Sequence, residues 1–138
     1  MQNLDTGKLT LSIEDNRYVS AVIYTNDELV KDDIHPITSF LDQFGGPIPA
    51  LIERKGHYSI SLLVQIAMMQ QTKSRLKAVA FVERDHRDAL MTRIASNTYF
   101  REIEVKSFYN KQEAVEWLMQ HHAPSPLLAD QTPTEQTT

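Results

Sequence analysis

Two short charged segments carry most of the chemistry that this chain's residue types allow. Glu53-Arg54-Lys55-Gly56-His57 follows the apolar run Ile48–Ile52, and Glu83-Arg84-Asp85-His86-Arg87 follows the apolar run Ala78–Val82. If those runs are neighbouring parallel strands, both segments leave strand carboxyl ends, where open α/β sheets hold their ligands. Arg54, Lys55, His57, Arg84, His86 and Arg87 then line one rim. Such a rim suits an anion, although Glu53, Glu83 and Asp85 dilute its field. Ser59 and Ser61 follow directly, where a helix is expected to begin at Ser59. A hydroxyl there caps free backbone N–H groups. A phosphate there would also gain from those donors and from the helix dipole.

Other candidate chemistries find less support. The histidines are His35, His57, His86, His121 and His122, and no pair of them sits in a ligand motif. His121 and His122 end a predicted helix, where imidazolium suits the dipole. Asp32-Asp33 has no further ligands spaced for a cation and reads as a solvated face. No metal and no cofactor is expected. The chain has no cysteine, which excludes disulfides, thiolate nucleophiles and cysteine zinc sites together. There is no G-x-S-x-G elbow and no glycine-rich phosphate loop, so the sequence points away from an enzyme.

The elements that must position these residues follow from periodicity. Leu9, Leu11 and Ile13 alternate with polar residues, and Tyr18–Tyr24 is β-branched and aromatic. The two runs predict an antiparallel hairpin across the turn Glu14-Asp15-Asn16-Arg17. Thr25-Asn26-Asp27-Glu28 has capping-box spacing. Val30, Ile34, Ile37, Leu41 and Phe44 then trace one helical face, with a kink or restart expected at Pro36 and an end at Gly45-Gly46-Pro47. Ile48–Ile52 predicts a strand with Pro49 near its start. Ser59 to about Lys73 predicts a helix whose apolar residues exceed one stripe, which implies burial on two sides or a partner, such as a second copy of the chain. Ala78–Val82 reads as a central parallel strand. A third helix opens at Asp85 or His86, with Leu90, Met91, Ile94 and Ala95 on one side. A last strand covers Glu102–Phe108. A closing helix, capped at Asn110-Lys111-Gln112-Glu113, turns Ala114, Trp117, Leu118 and His121 inward.

The order is β-β-α-β-α-β-α-β-α. It defines an α/β fold: a mostly parallel sheet with an antiparallel N-terminal edge strand and four helices. One domain is expected over residues 1–122. Residues 123–138, rich in Pro, Thr and Gln, read as a disordered tail. The chain has 138 residues, 41% of them hydrophobic and 23% charged, which is enough for one ordinary core. A net charge of −4 gives no case for nucleic acid. The N-terminal residues Met1–Lys8 lack an apolar signal region and no run is long enough to span a membrane, so a cytoplasmic protein is expected.

The segment Phe108-Tyr109-Asn110-Lys111-Gln112-Glu113-Ala114-Val115-Glu116-Trp117-Leu118 resembles the F-x-x-x-x-E-A-x-x-W-L ending of SpoIIAA-like proteins in the STAS/SEC14-like group. The order of elements over about residues 8–122 is similar as well. The resemblance implies a non-enzymatic regulatory or protein-interaction module, or a module that binds an anionic or an apolar, lipid-like ligand. For that second case Met68, Met69 and Met91, otherwise core filler, would line a pocket. In anti-sigma antagonists of this group a serine in a D-x-S-x-x-D-S-x-G pattern is phosphorylated. Here the matching stretch, Glu53–Ser61, lacks D-S-x-G, and Ser59 and Ser61 are the candidate acceptors that remain.

Overall fold

The computed structural model describes residues 3–97 and 103–122. Eight strands and four helices follow one another as β1 (Asn3–Asp5), β2 (Leu9–Glu14), β3 (Tyr18–Ile23), β4 (Glu28–Leu29), α1 (Ile34–Leu41), β5 (Ile48–Arg54), β6 (Ser59–Ile60), α2 (Leu62–Thr72), β7 (Leu76–Val82), α3 (His86–Asn97), β8 (Glu104–Phe108) and α4 (Lys111–His122). Six strands form one sheet in the order β1-β2-β3-β5-β7-β8, antiparallel from β1 to β3 and parallel from β3 to β8. The hairpin turn places Asp15 and Asn16 at φ 52° and 54°. These left-handed residues are the central pair of a turn closed by the Arg17 N–H, which donates to the Glu14 carbonyl at 2.9 Å.

Successive parallel strands step in one direction across the sheet. Right-handed crossovers therefore carry α1, α2 and α3 over the same face. Leu9, Leu11, Val19 and Ile48 pack there against Phe40, Leu41 and Phe44. The opposite face buries Leu51, Ala78 and Ala80 under Ala114 and Leu118 of α4, with Trp117 half-buried and its ring 5.8 Å from that of Phe108. Asn110 caps α4 by accepting from the Glu113 N–H at 3.0 Å.

Several sequence expectations need correction. The start of the chain contains a strand, β1, which pairs with β2 and sets Leu4 against the core. Thr25 opens no helix: its hydroxyl accepts from the Asp27 N–H, and the chain then extends as β4, parallel to β6. A 3-10 turn over Lys31–Asp33 follows, and α1 starts at Ile34. Pro36 thus falls in the first turn, where its missing N–H costs nothing. The second helix begins at Leu62, not at Ser59, because Ser59 and Ile60 pair with Glu28 and Leu29. Leu90 points to solvent, and Asp88 and Thr92 are buried instead. The side chains of Met91, Ile94, Ala95 and His121 lie outside the described residues, as do the whole of 123–138 and the first residue of the predicted last strand. Among the described residues no helix is long and apolar enough to cross a membrane.

Candidate functional site

Strand β5 runs two residues further than its apolar run, because Glu53 and Arg54 pair with Val22 and Ile23 of β3. Alternation then decides where each side chain goes. Ala50, Ile52 and Arg54 share the face covered by α1–α3, together with Ala21 and Ile23 of β3 and Phe81 of β7. Arg54 is therefore carried off the rim and inward, and only 5% of its side chain is exposed.

Three hydrogen-bond partners and one aromatic ring hold it there. Arg54 Nη1 donates to Glu83 Oε1 at 2.5 Å and to Thr92 Oγ1 at 3.1 Å, and Nε donates to the Tyr58 hydroxyl at 3.0 Å. The guanidinium lies 4.4 Å from the centre of the Phe81 ring. Glu83 has no exposed side-chain surface, and its Oε2 accepts from Ser107 Oγ at 2.8 Å. The pair is thus largely withdrawn from water and hydrogen-bonded, the condition under which buried opposite charges persist.

Next to this pair the sheet and its covering helices fail to meet. A cavity of about 280 Å³ opens between β2, β3, β5 and β7 on one side and α1, α2 and the β4–β6 pair on the other. Its wall is apolar, with Ala21 and Ala50 on the sheet side, Ile37 and Met68 on the helix side and Leu29 and Ile60 from the short strands. Arg54, Tyr58, Gln65 and Thr72 supply its polar atoms. Two alanines on the sheet face leave room that larger side chains would fill. The β4–β6 pair is fixed by Lys8, whose Nζ donates to Glu28 O at 2.7 Å and to Asp33 Oδ2 at 2.9 Å. Gly56 lets the two loops cross, since a Cβ there would overlap the Thr25 carbonyl.

The residues singled out in the sequence are divided by this arrangement. Arg54 belongs to the cavity. Arg84 folds back on its own helix start: Nε donates to Asp88 Oδ2 at 2.9 Å and Nη2 to Oδ1 at 3.1 Å. Burial pushes the Asp88 carboxyl up, but the Arg84 side-chain and backbone donors outweigh it and hold the group below the usual aspartate value. Lys55, His57, His86 and Arg87 are exposed, and the His57 N–H donates to Asn26 Oδ1. Ser59 is exposed on β6, whereas Ser61 caps α2 by accepting from the Val64 N–H at 3.2 Å. Among the described residues no group of histidines and carboxylates could hold a metal ion. Sequence reasoning missed Tyr58, Glu83 and Thr92 as partners of Arg54, and Gln65 as part of the cavity wall. The signal for Glu83 was its place two residues beyond Phe81 on the same strand face.

The fold is SpoIIAA-like. A solved structure from Shewanella loihica PV-4, an uncharacterised protein of the DUF3478 family with a SpoIIAA-like fold, superposes with a TM-score of 0.58. It shares 22% identity, over 80% of this chain and 91% of that one. No protein-family model matches the chain, and neither does any curated protein.

Proposed function

We propose that this protein is a non-catalytic, STAS-like binding module whose ligand is a small, largely apolar molecule held between the sheet and α2. One observation carries the reading: a cavity of about 280 Å³ with an apolar wall and a few fixed polar groups. That is the usual composition of a small-molecule site. By scale, a cavity of about 150 Å³ accepts benzene, so this one takes a molecule on the order of ten heavy atoms. Arg54 and Arg84, two of the three arginines of the expected rim, are both already paired with carboxylates, which supports an apolar occupant over an anion on the rim.

The test is mass spectrometry of gently purified protein, combined with amide chemical-shift mapping. A bound small molecule, or shifts at Ala21, Ile60 and Met68 on adding cavity-sized apolar probes, is the expected result. Ala21→Phe, which places a ring in the cavity, should abolish both. No co-purified molecule and no shifts with any probe would refute the reading. A second reading, a regulatory protein-interaction module, is favoured by Leu62 and Leu63 at the start of α2, 61% and 79% exposed. Shifts confined to those residues on adding a partner would favour it.

A further inference from the structure

The charges around the cavity add up before any ligand enters. Arg54 is the one formally charged residue among the described residues that line it. Its charge is matched by Glu83 at 2.5 Å, with both side chains withdrawn from water. The adjacent Arg84–Asp88 pair is balanced as well. A carboxylate entering the cavity would be a second anion on one buried cation, and nothing described there would offset it.

Hydrogen-bonding capacity, in contrast, is left over. Nη1 and Nε of Arg54 are engaged, whereas Nη2 has no hydrogen-bond partner among the described residues. The Tyr58 oxygen accepts from Nε, which leaves its own O–H to donate. Both residues line the cavity. The site therefore offers donors without offering net charge.

We infer that the occupant is an uncharged, largely apolar molecule bearing a carbonyl-type oxygen (a ketone, ester, lactone or amide), received by Arg54 Nη2 and the Tyr58 hydroxyl. Glu83 acts as the residue that excludes carboxylates. This rests on the small-ligand reading above and names the class of ligand. Glu83 is a positioning and specificity residue: it fixes the guanidinium and cancels its charge.

Three molecules of equal heavy-atom count separate the alternatives: cumene, acetophenone and benzoate, titrated by amide NMR at neutral pH. Cumene reports the apolar cavity alone. Acetophenone should bind, and Tyr58→Phe should weaken it roughly three- to tenfold while leaving cumene unchanged. Benzoate should fail to bind the native protein, and Glu83→Gln should raise its affinity on the order of tenfold or more. Should Glu83→Gln not fold, a pH series on the native protein serves instead: benzoate binding should emerge only as acid converts it to the neutral form, with acetophenone unaffected. Benzoate bound as tightly as acetophenone by the native protein overturns the inference but leaves a small-ligand protein. So does Glu83→Gln without a gain for benzoate, or an equal effect of Tyr58→Phe on acetophenone and cumene. If none of the three binds, the proposed function falls with it.

Discussion

Replacing Arg54 by Met should be the most damaging single change on the helix-covered face of the sheet. Methionine fills much of the same volume, so the loss isolates the charge. Glu83 would keep its bond from Ser107 but would lose Arg54 at 2.5 Å while having no exposed side-chain surface. Breaking one half of a buried pair costs about 3–5 kcal/mol, because the remaining ion is desolvated without compensation. Loss of the contact with the Phe81 ring at 4.4 Å adds about 1 kcal/mol. For a domain of this length the total corresponds to a fall in melting temperature of roughly 10–20 °C. Urea denaturation at neutral pH measures it directly, and the slope should not change. The double variant Arg54→Met/Glu83→Gln removes both charges and should regain most of the loss, since residues in contact are non-additive. A loss below about 1 kcal/mol, or a double variant no better than the single one, would refute the buried pair and the charge balance drawn from it.

Four further outcomes follow from the same packing. Ser61→Ala should cost about 1 kcal/mol by removing the cap of α2, whereas Ser59→Ala should change the melting temperature by little; equal effects would move the helix start. Asp88 sits below the usual aspartate value, so its contribution is present above the unfolded aspartate value and is lost as pH falls through the lower folded one. The stability gap between the native protein and Asp88→Asn should therefore be constant near neutrality and shrink in acid; a gap that grows on acidification contradicts the assignment. Trp117→Ala should cost about 2–3 kcal/mol, less than a fully buried tryptophan, because Trp117 is half-buried against Phe108; a native emission spectrum of a fully hydrated indole would contradict it. Gly56→Ala should cost about 1–3 kcal/mol by overpacking against the Thr25 carbonyl, and an unchanged melting temperature would show that the two loops do not cross as described.

The sheet was legible because each of its main strands declares itself locally. Ala78–Val82 is apolar throughout, as a strand covered on both faces must be, and the Leu9–Ile13 alternation matches a strand with one face on the core. The shortest elements were not legible. Asn3–Asp5 holds one apolar residue between two polar ones, and Glu28-Leu29 and Ser59-Ile60 are two residues each, so tertiary contacts override local preference. Missing that last pair shifted the expected start of α2 by three residues and gave the cap to Ser59 instead of Ser61. Arg54 lies off the expected rim for a related reason. Arg54 was read as a loop residue because its charge ended the apolar run, yet its pairing with Ile23 keeps it in the strand, and strand alternation then turns it inward.

The cavity and the excess apolar surface of α2 have one origin. A helix with Val64, Ile66, Ala67 and Met68 half-buried and Met69 fully buried has more apolar area than a tight contact with one sheet face would need. Facing it, the sheet presents Ala21 and Ala50, so the two surfaces cannot close on each other at interior packing density. The deficit is lined on the helix side by Ile37, Met68 and Thr72, and it ends at Arg54 and Tyr58. A void of that size forfeits dispersion contacts on every wall, and burial of an arginine beside it adds a desolvation cost. Both costs fall on the same few residues, next to the strand ends where open sheets bind ligands. An occupant that restores the contacts and accepts from Arg54 would offset both at once, and the protein should then be measurably more stable with the ligand than without it.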